Sequence, residues 1–163
     1  KLSTKYNLQI FGDLQCSSQI GQITKFEDFS LLCPNEKEAR IAINDKQSGL
    51  ETISQLLIKK TRSNKLLMKL GEDGFILYEK DLDQNISSQY FPALSVNPLD
   101  VTGAGDSVLA VMAVGISSNQ SSMISAAIAS CVASIAVEQM GNIPINLDIL
   151  RKKIGAIFDR VEI

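Results

Sequence analysis

Asp100-Val-Thr-Gly-Ala-Gly-Asp106 runs without a break into the apolar stretch Ser107 to Gly115. This order sets a glycine-rich turn ahead of a helix and a single carboxylate at the helix's start. The first N–H groups of a helix have no intrahelical partner, and they carry the positive end of the macrodipole. Small residues at Gly103, Ala104 and Gly105 let an anion approach those amides closely, which suits a phosphate oxygen. Asp106 then stands beside the anion, placed to accept a proton from an attacking hydroxyl. The chemistry these residues suit is phosphoryl transfer. A Gly-x-Gly turn with an acidic cap is also ordinary punctuation between elements.

Bulk properties narrow the alternatives. The chain contains no histidine, which excludes a His general base, a Ser-His triad and His-containing zinc sites. It also excludes a nucleotidyltransferase that depends on a His-x-Gly-His motif, so acid–base work falls to Asp or Glu. At 163 residues the chain has the size of one domain and can bury a substantial core. A net charge of −2 supplies no electrostatic footprint for nucleic acid or an anionic membrane. Cys16, Cys33 and Cys131 form no Cys-x-x-Cys pair and are odd in number, as expected of reduced thiols in a cytoplasmic protein. No signal-peptide pattern stands at the N-terminus. The most apolar run, Met123 to Val137, is shorter than the ~20 residues a bilayer crossing needs. It and Val108 to Ile116 read as buried helices, rich in Ala because they pack closely, with Ser117 to Ser122 between them.

The elements that must hold the turn follow from periodicity. Tyr6 to Phe11 reads as a short strand, Leu14 to Lys25 as irregular, and Phe29 to Cys33 as a buried strand. Pro34-Asn35 opens a helix through about Asn44, where Asn35 as N-cap and Glu38 three residues on make a capping box. Leu50, Ile53, Leu56 and Leu57 share one face of a second helix running to about Lys60. Lys65 to Leu70 and Phe75 to Lys80 flank the turn Gly71-Glu-Asp-Gly74, a hairpin expected at a sheet edge. Asp81 to Ser88 reads as loop and Gln89 to Leu94 as a strand. After the glycine turn come two small-residue helices, then Gly141-Asn142-Ile-Pro144, then an amphipathic helix from about Leu147 to Phe158. Alternating strands and helices predict an α/β fold: one domain, a mostly parallel sheet with helices on both faces.

The Asp-x-Thr-Gly-Ala-Gly-Asp segment with its small-residue helix resembles the second signature of the PfkB/ribokinase family of sugar and nucleoside kinases. Val111 departs from it, since the family usually has a small residue there, a matter of helix packing. The resemblance runs from about Phe29 to Pro144 and implies the C-terminal, nucleotide-binding part of a ribokinase-like fold. Such kinases are nearly twice this length. Their N-terminal half carries most sugar contacts and a small β lid, so the resemblance implies little or no activity for these residues alone.

Under the resemblance, ATP is the donor and a sugar, sugar phosphate or nucleoside the acceptor. Val101 to Ala110 and Glu138 to Ile143 look most like the heptose-phosphate kinase branch. The amides of Gly103, Ala104, Gly105 and Asp106 hold the transferring phosphoryl, and Asp106 takes the acceptor's proton. The Asn35-x-x-Glu38 motif influences Mg²⁺ and phosphate, largely through water. Gly71 and Gly74 border the nucleotide. Lys69 stands where the family often has Thr, and either pairs with phosphate charge or is solvated. Asp100 either helps bind a monovalent cation such as K⁺ or simply forms a turn after Pro98. Gly141 and Asn142 close the adenine pocket, with Ala126 to Ala136 as its apolar wall. Asp13, after the first strand, receives no role. A homodimer is compatible with the resemblance. The competing reading is a non-catalytic nucleotide- or phosphate-binding module. A flavin- or dinucleotide-binding domain is disfavoured because no Gly-x-Gly-x-x-Gly follows a first strand.

Overall fold

The computed structural model describes residues 2–13, 23–95, 97–141 and 143–159. They fall into two compact units, Lys1–Phe91 and Pro92–Ile163, a division no shift in composition announces.

The first unit is built on a mixed five-stranded sheet. In chain order it comprises α1 (Leu2–Tyr6), β1 (Phe11–Gly12), a 3₁₀ turn (Ile23–Lys25), β2 (Leu31–Leu32), α2 (Glu36–Ile43), α3 (Leu50–Thr61), β3 (Lys65–Lys69), a second 3₁₀ turn (Gly71–Asp73), β4 (Phe75–Lys80) and β5 (Ile86–Phe91). The strands lie in sequence order, parallel from β1 to β3 and antiparallel from β3 to β5. Register aligns Leu32, Leu66 and Tyr78 across one face, with Met68 beside Ile76. Against that face pack Ala39 of α2 and Ile53, Leu57 and Ile58 of α3, all fully buried. On the opposite face Leu31, Leu67, Leu77 and Phe75 are also buried. Two buried faces explain why Leu31-Leu32 and Leu66-Leu67-Met68 are unbroken apolar runs rather than alternating ones.

Several expectations need correction. Tyr6 closes helix α1 instead of opening a strand, because Asn7 turns left-handed at φ 51°. The strand predicted over Phe29 to Cys33 is regular at Leu31–Leu32, and single backbone bonds carry the pairing to either side, from the Ser30 amide to the Ile10 carbonyl and from the Cys33 amide to the Gly12 carbonyl, both at 2.8 Å. Leu56 is 42 % exposed. The buried stripe of α3 runs through Ile53, Ser54, Leu57, Ile58 and Thr61, which turns Leu56 to the rim. The hairpin lies inside the sheet, and β5 takes the edge. Ser87 and Ser88, read as loop, pair with Glu79 and Tyr78, since polar residues are what a solvent-facing edge strand carries.

The second unit contains α4 (Ala104–Ser117), α5 (Ser122–Val137) and α6 (Leu147–Phe158), the helices expected there. Val108, Met112 and Ile116 form the buried stripe of α4. The two small-residue helices meet most tightly at Gly115. A Cβ built there would lie 2.2 Å from the hydroxyl and 2.8 Å from the Cβ of Ser125. That hydroxyl donates to the Ser121 carbonyl at 2.9 Å and is not free to swing away. Gly155, in α6, has nothing within 4 Å of such a Cβ.

The two glycines therefore predict opposite outcomes in urea unfolding. Gly115→Ala should lose about 1–3 kcal/mol through overpacking, despite alanine's better helix propensity. Gly155→Ala should gain up to about 1 kcal/mol. Equal effects at the two sites would refute the close α4–α5 approach.

Candidate functional site

Gly103 sits at the N-cap of α4 with φ 77° and ψ −3°, a left-handed conformation that explains a glycine at this point. No side chain caps this helix. By contrast, Asn35, Ser121 and Asn146 each accept a first-turn amide of the helix they precede. The Ala104 amide reaches back to the Val101 carbonyl at 3.3 Å, and the Ser107 hydroxyl donates to the Gly103 carbonyl at 2.9 Å. Asp106 is exposed on the same turn, and no ion pair engages it among the described residues. Gly103 and Asp106 line a cleft of about 410 Å³, within the ~300–1,000 Å³ usual for small-molecule sites. Val132, Ala136, Gly141 and Ile143 form its apolar side. Val111, the departure from the family pattern, also lines it.

Asp100 joins the two lips of this cleft. One carboxylate oxygen accepts the Thr102 amide at 2.9 Å and the other accepts the Gly141 amide at 3.1 Å. The Leu99 amide also donates to the Val137 carbonyl at 2.7 Å. Hydrogen bonds from Thr102, then from Gly141, hold the Asp100 carboxyl below its ordinary pKa. Asp100 thus forms a turn, and beyond that it ties the segment before α4 to the segment after α5. Asn142, expected beside Gly141, lies outside the described residues, as does Cys16.

In the first unit the carboxyl ends of parallel strands collect the other expected residues, where open α/β sheets bind ligands. Asp13 follows β1, Asn35 follows β2 and Lys69 ends β3. Asn35 bridges to Lys69 in parallel register, and the Lys69 amide donates to the Pro34 carbonyl at 2.8 Å. The capping box is present in full. The Glu38 amide donates to Asn35 Oδ1, the Asn35 amide donates to Glu38 Oε2, both at 2.8 Å, and Glu38 is 4 % exposed. Lys69 is ion-paired: its ammonium donates to both Asp13 carboxylate oxygens, at 2.6 and 2.5 Å. Asp13 is the residue the sequence reading passed over. Its place directly after the first strand, matching Asn35 after the second, was the available signal. Burial, then the Asp13 charge, pushes the Cys33 thiol far above its usual range, which rules it out as a nucleophile. Gly71 and Gly74 flank the 3₁₀ turn at φ 65° and 93°. Asn35, Arg40, Lys69 and Gly71 line a groove of about 760 Å³.

Residues 14–149 match the pfkB family of carbohydrate kinases. The chain belongs to that family. Its relatives include the bifunctional protein HldE of Campylobacter fetus, 37 % identical over 123 residues, and that of Sulfurimonas denitrificans, 35 % identical over 129 residues. These alignments cover 73 % and 76 % of this chain, but it spans only about 25 % of either relative. Among solved structures it is similar to a ribokinase from Thermotoga maritima, with TM-score 0.76, 21 % identity and coverage of 94 % of this chain and 51 % of that one. The ribokinase of Arabidopsis thaliana complexed with ribose and ATP gives TM-score 0.75 at 24 % identity, covering 92 % and 48 %. The fold of this pfkB chain is therefore ribokinase-like. No helix among the described residues is long and apolar enough to cross a membrane.

The Asp100 clasp predicts a pH signature. A carboxyl whose pKa is lowered on folding contributes stability above its unfolded value of 3.8, and that contribution fades as pH falls through the folded value. Asp100→Asn should lower the melting temperature at pH 7, with the gap to wild type shrinking as the buffer is taken below 3.8. A gap that persists unchanged at the acid end would show that the charge of Asp100 does not hold the lips together.

Proposed function

We propose that this chain is the nucleotide-binding, C-terminal half-domain of a carbohydrate kinase that moves the terminal phosphoryl of ATP to a hydroxyl of a sugar or sugar phosphate. The observation that carries the reading is Asp106. It is an exposed carboxylate on the first turn of a helix with no side-chain cap, in a cleft with an apolar wall. The amides of Gly105 and Asp106, which helix geometry leaves without intrahelical partners, stabilise charge spread over the transferring phosphoryl oxygens. Asp106 orients the acceptor hydroxyl and takes its proton late, as the acceptor oxygen–phosphorus bond forms and the bridging oxygen leaves with ADP. A carboxylate at a helix N-terminus is a weak base, so its value is placement. Val132, Ala136 and Ile143 supply apolar surface for the base of the nucleotide, and Gly141 leaves room beside it.

Mg²⁺ would neutralise phosphate charge when bound. Glu38 and Asn35 suit it only through water. Each uses an oxygen in the capping box, and no three acidic, Cys or His residues cluster among the described residues. Mg²⁺ keeps several of its waters, so a single buried carboxylate matches that need. A monovalent cation such as K⁺ at Asp100 belongs to the proposal through family resemblance alone, and would share oxygens that already accept two amides. The heptose-phosphate branch, a homodimer and a cytoplasmic setting rest on resemblance and composition.

In the full-length kinase, Asp106→Asn should lower kcat by about 10²–10⁴-fold while the nucleotide Kd stays within about twofold. Unchanged turnover would remove Asp106 from catalysis, and lost nucleotide binding would make its role structural. Residues 1–163 alone, given ATP and candidate sugars, should transfer little or no phosphate. Robust transfer would overturn the assignment of acceptor contacts to a separate N-terminal half.

A further inference from the structure

We infer that Val111 is a specificity-determining residue: it ends the cleft beside Asp106 and so sets how large a nucleobase the phosphoryl donor can carry. The inference deepens the proposal above and rests on its placing of the nucleotide in this cleft. Helices α4 and α5 are joined by residues 118–121 alone, so they run antiparallel as a helical hairpin. On α4, Ser107, Val111 and Gly115 follow one another at four-residue spacing and share one face. Ser107 and Val111 line the cleft, whereas Gly115 is closed against Ser125 of α5. On α5 the lining residues are Val132 and Ala136, at the same spacing. The lining thus stops at Val111 on one helix and at Val132 on the other. Beyond them the closed helix contact begins.

That end is a fixed stop. Val111 is β-branched, and in a helix such a side chain keeps essentially one χ1 rotamer, so it does not swing aside. Val132 is buried and held by packing. One turn beyond Val111 the helix spacing is set by the close approach of Gly115 to Ser125, whose hydroxyl donates to the Ser121 carbonyl at 2.9 Å. Val111 lies five residues after Asp106, about 7.5 Å along the helix axis. A donor with its terminal phosphate at the helix start therefore brings its far end towards Val111. Elsewhere on the lining, the Gly141 amide donates to Asp100 at 3.1 Å and the Gly141 carbonyl accepts the Ile143 amide at 3.0 Å. Pro144, also on the lining, has no N–H. These groups meet a base through contact, and contact senses bulk. In an apolar pocket one methylene changes specificity by about 10–200-fold.

The test compares wild type, Val111→Ala and Val111→Ile in the full-length kinase by steady-state kinetics. The donors are ATP, ATP carrying a benzyl group on the adenine amine, and 2-methylthio-ATP, so that two different edges of the base are enlarged. Val111→Ala should raise kcat/KM for at least one analogue, relative to ATP, by about 10–100-fold. Val111→Ile should raise the ATP KM by about fivefold or more through overpacking, with kcat at saturating ATP within about twofold. Inorganic tripolyphosphate, which has the phosphates and no base, should inhibit all three proteins alike. Unchanged donor selectivity in both variants, with ATP still bound, overturns the inference and leaves the kinase reading standing. A shift in tripolyphosphate inhibition that matches the shift in ATP KM makes Val111 a general packing residue and also overturns it. If Val111→Ala does not fold, Val111→Ile decides alone, and an ATP KM equal to wild type overturns the inference. A wild-type protein that binds no nucleotide overturns both readings.

Discussion

A helix that opens on glycine leaves its first amides to whatever anion comes to it. At Gly103 the chain supplies no side-chain acceptor, although it does so at Asn35, Ser121 and Asn146. Uncapped amides are a cost in stability that a cap of about 1 kcal/mol would remove. Much of the second unit keeps that opening in place. Gly115 lets α4 lie tightly against α5, the Ser107 hydroxyl folds back on the Gly103 carbonyl, and Asp100 clasps the segment ahead of the turn to Gly141. The helix start has no side-chain cap, but the backbone that carries it is not left loose.

The first unit solves a related problem with strand ends. Parallel strands β1, β2 and β3 finish on one side, and each delivers a polar residue there: Asp13, Asn35 and Lys69. Their side chains satisfy one another or the backbone. Asn35 and Glu38 close a reciprocal cap, and Lys69 is held by Asp13. A half-buried ion pair adds little net stability, because desolvation offsets much of the attraction. Its clearer effect is to fix where the lysine's charge sits.

Legibility in the sequence varied by feature, for physical reasons. Helices α4, α5 and α6 and the capping box at Asn35 were readable because each depends on residues within one or two turns of the chain. The Asp106 turn was readable for the same reason, its spacing being local. Leu56 misled because hydrophobicity identifies a helix face only to within about a quarter turn, and the sheet decides which edge of that face is covered. The polar Ser87-Ser88 pair reads as loop because an edge strand needs no apolar face. The Lys69–Asp13 pair was not readable, since 56 residues separate its members.

Order along the chain alone determined a glycine turn before an apolar helix, a lone carboxylate on that helix's first turn, and no imidazole anywhere to share the proton work. These are statements about neighbours, which covalent connectivity and helix geometry settle without help from the rest of the molecule. Tertiary structure alone decided that Asp106 faces solvent, that Asp100 spends its oxygens on Thr102 and Gly141, and that Val111 lines one cleft with Val132. Those outcomes depend on contacts between segments tens of residues apart, and only packing and strand register bring such segments within hydrogen-bonding distance.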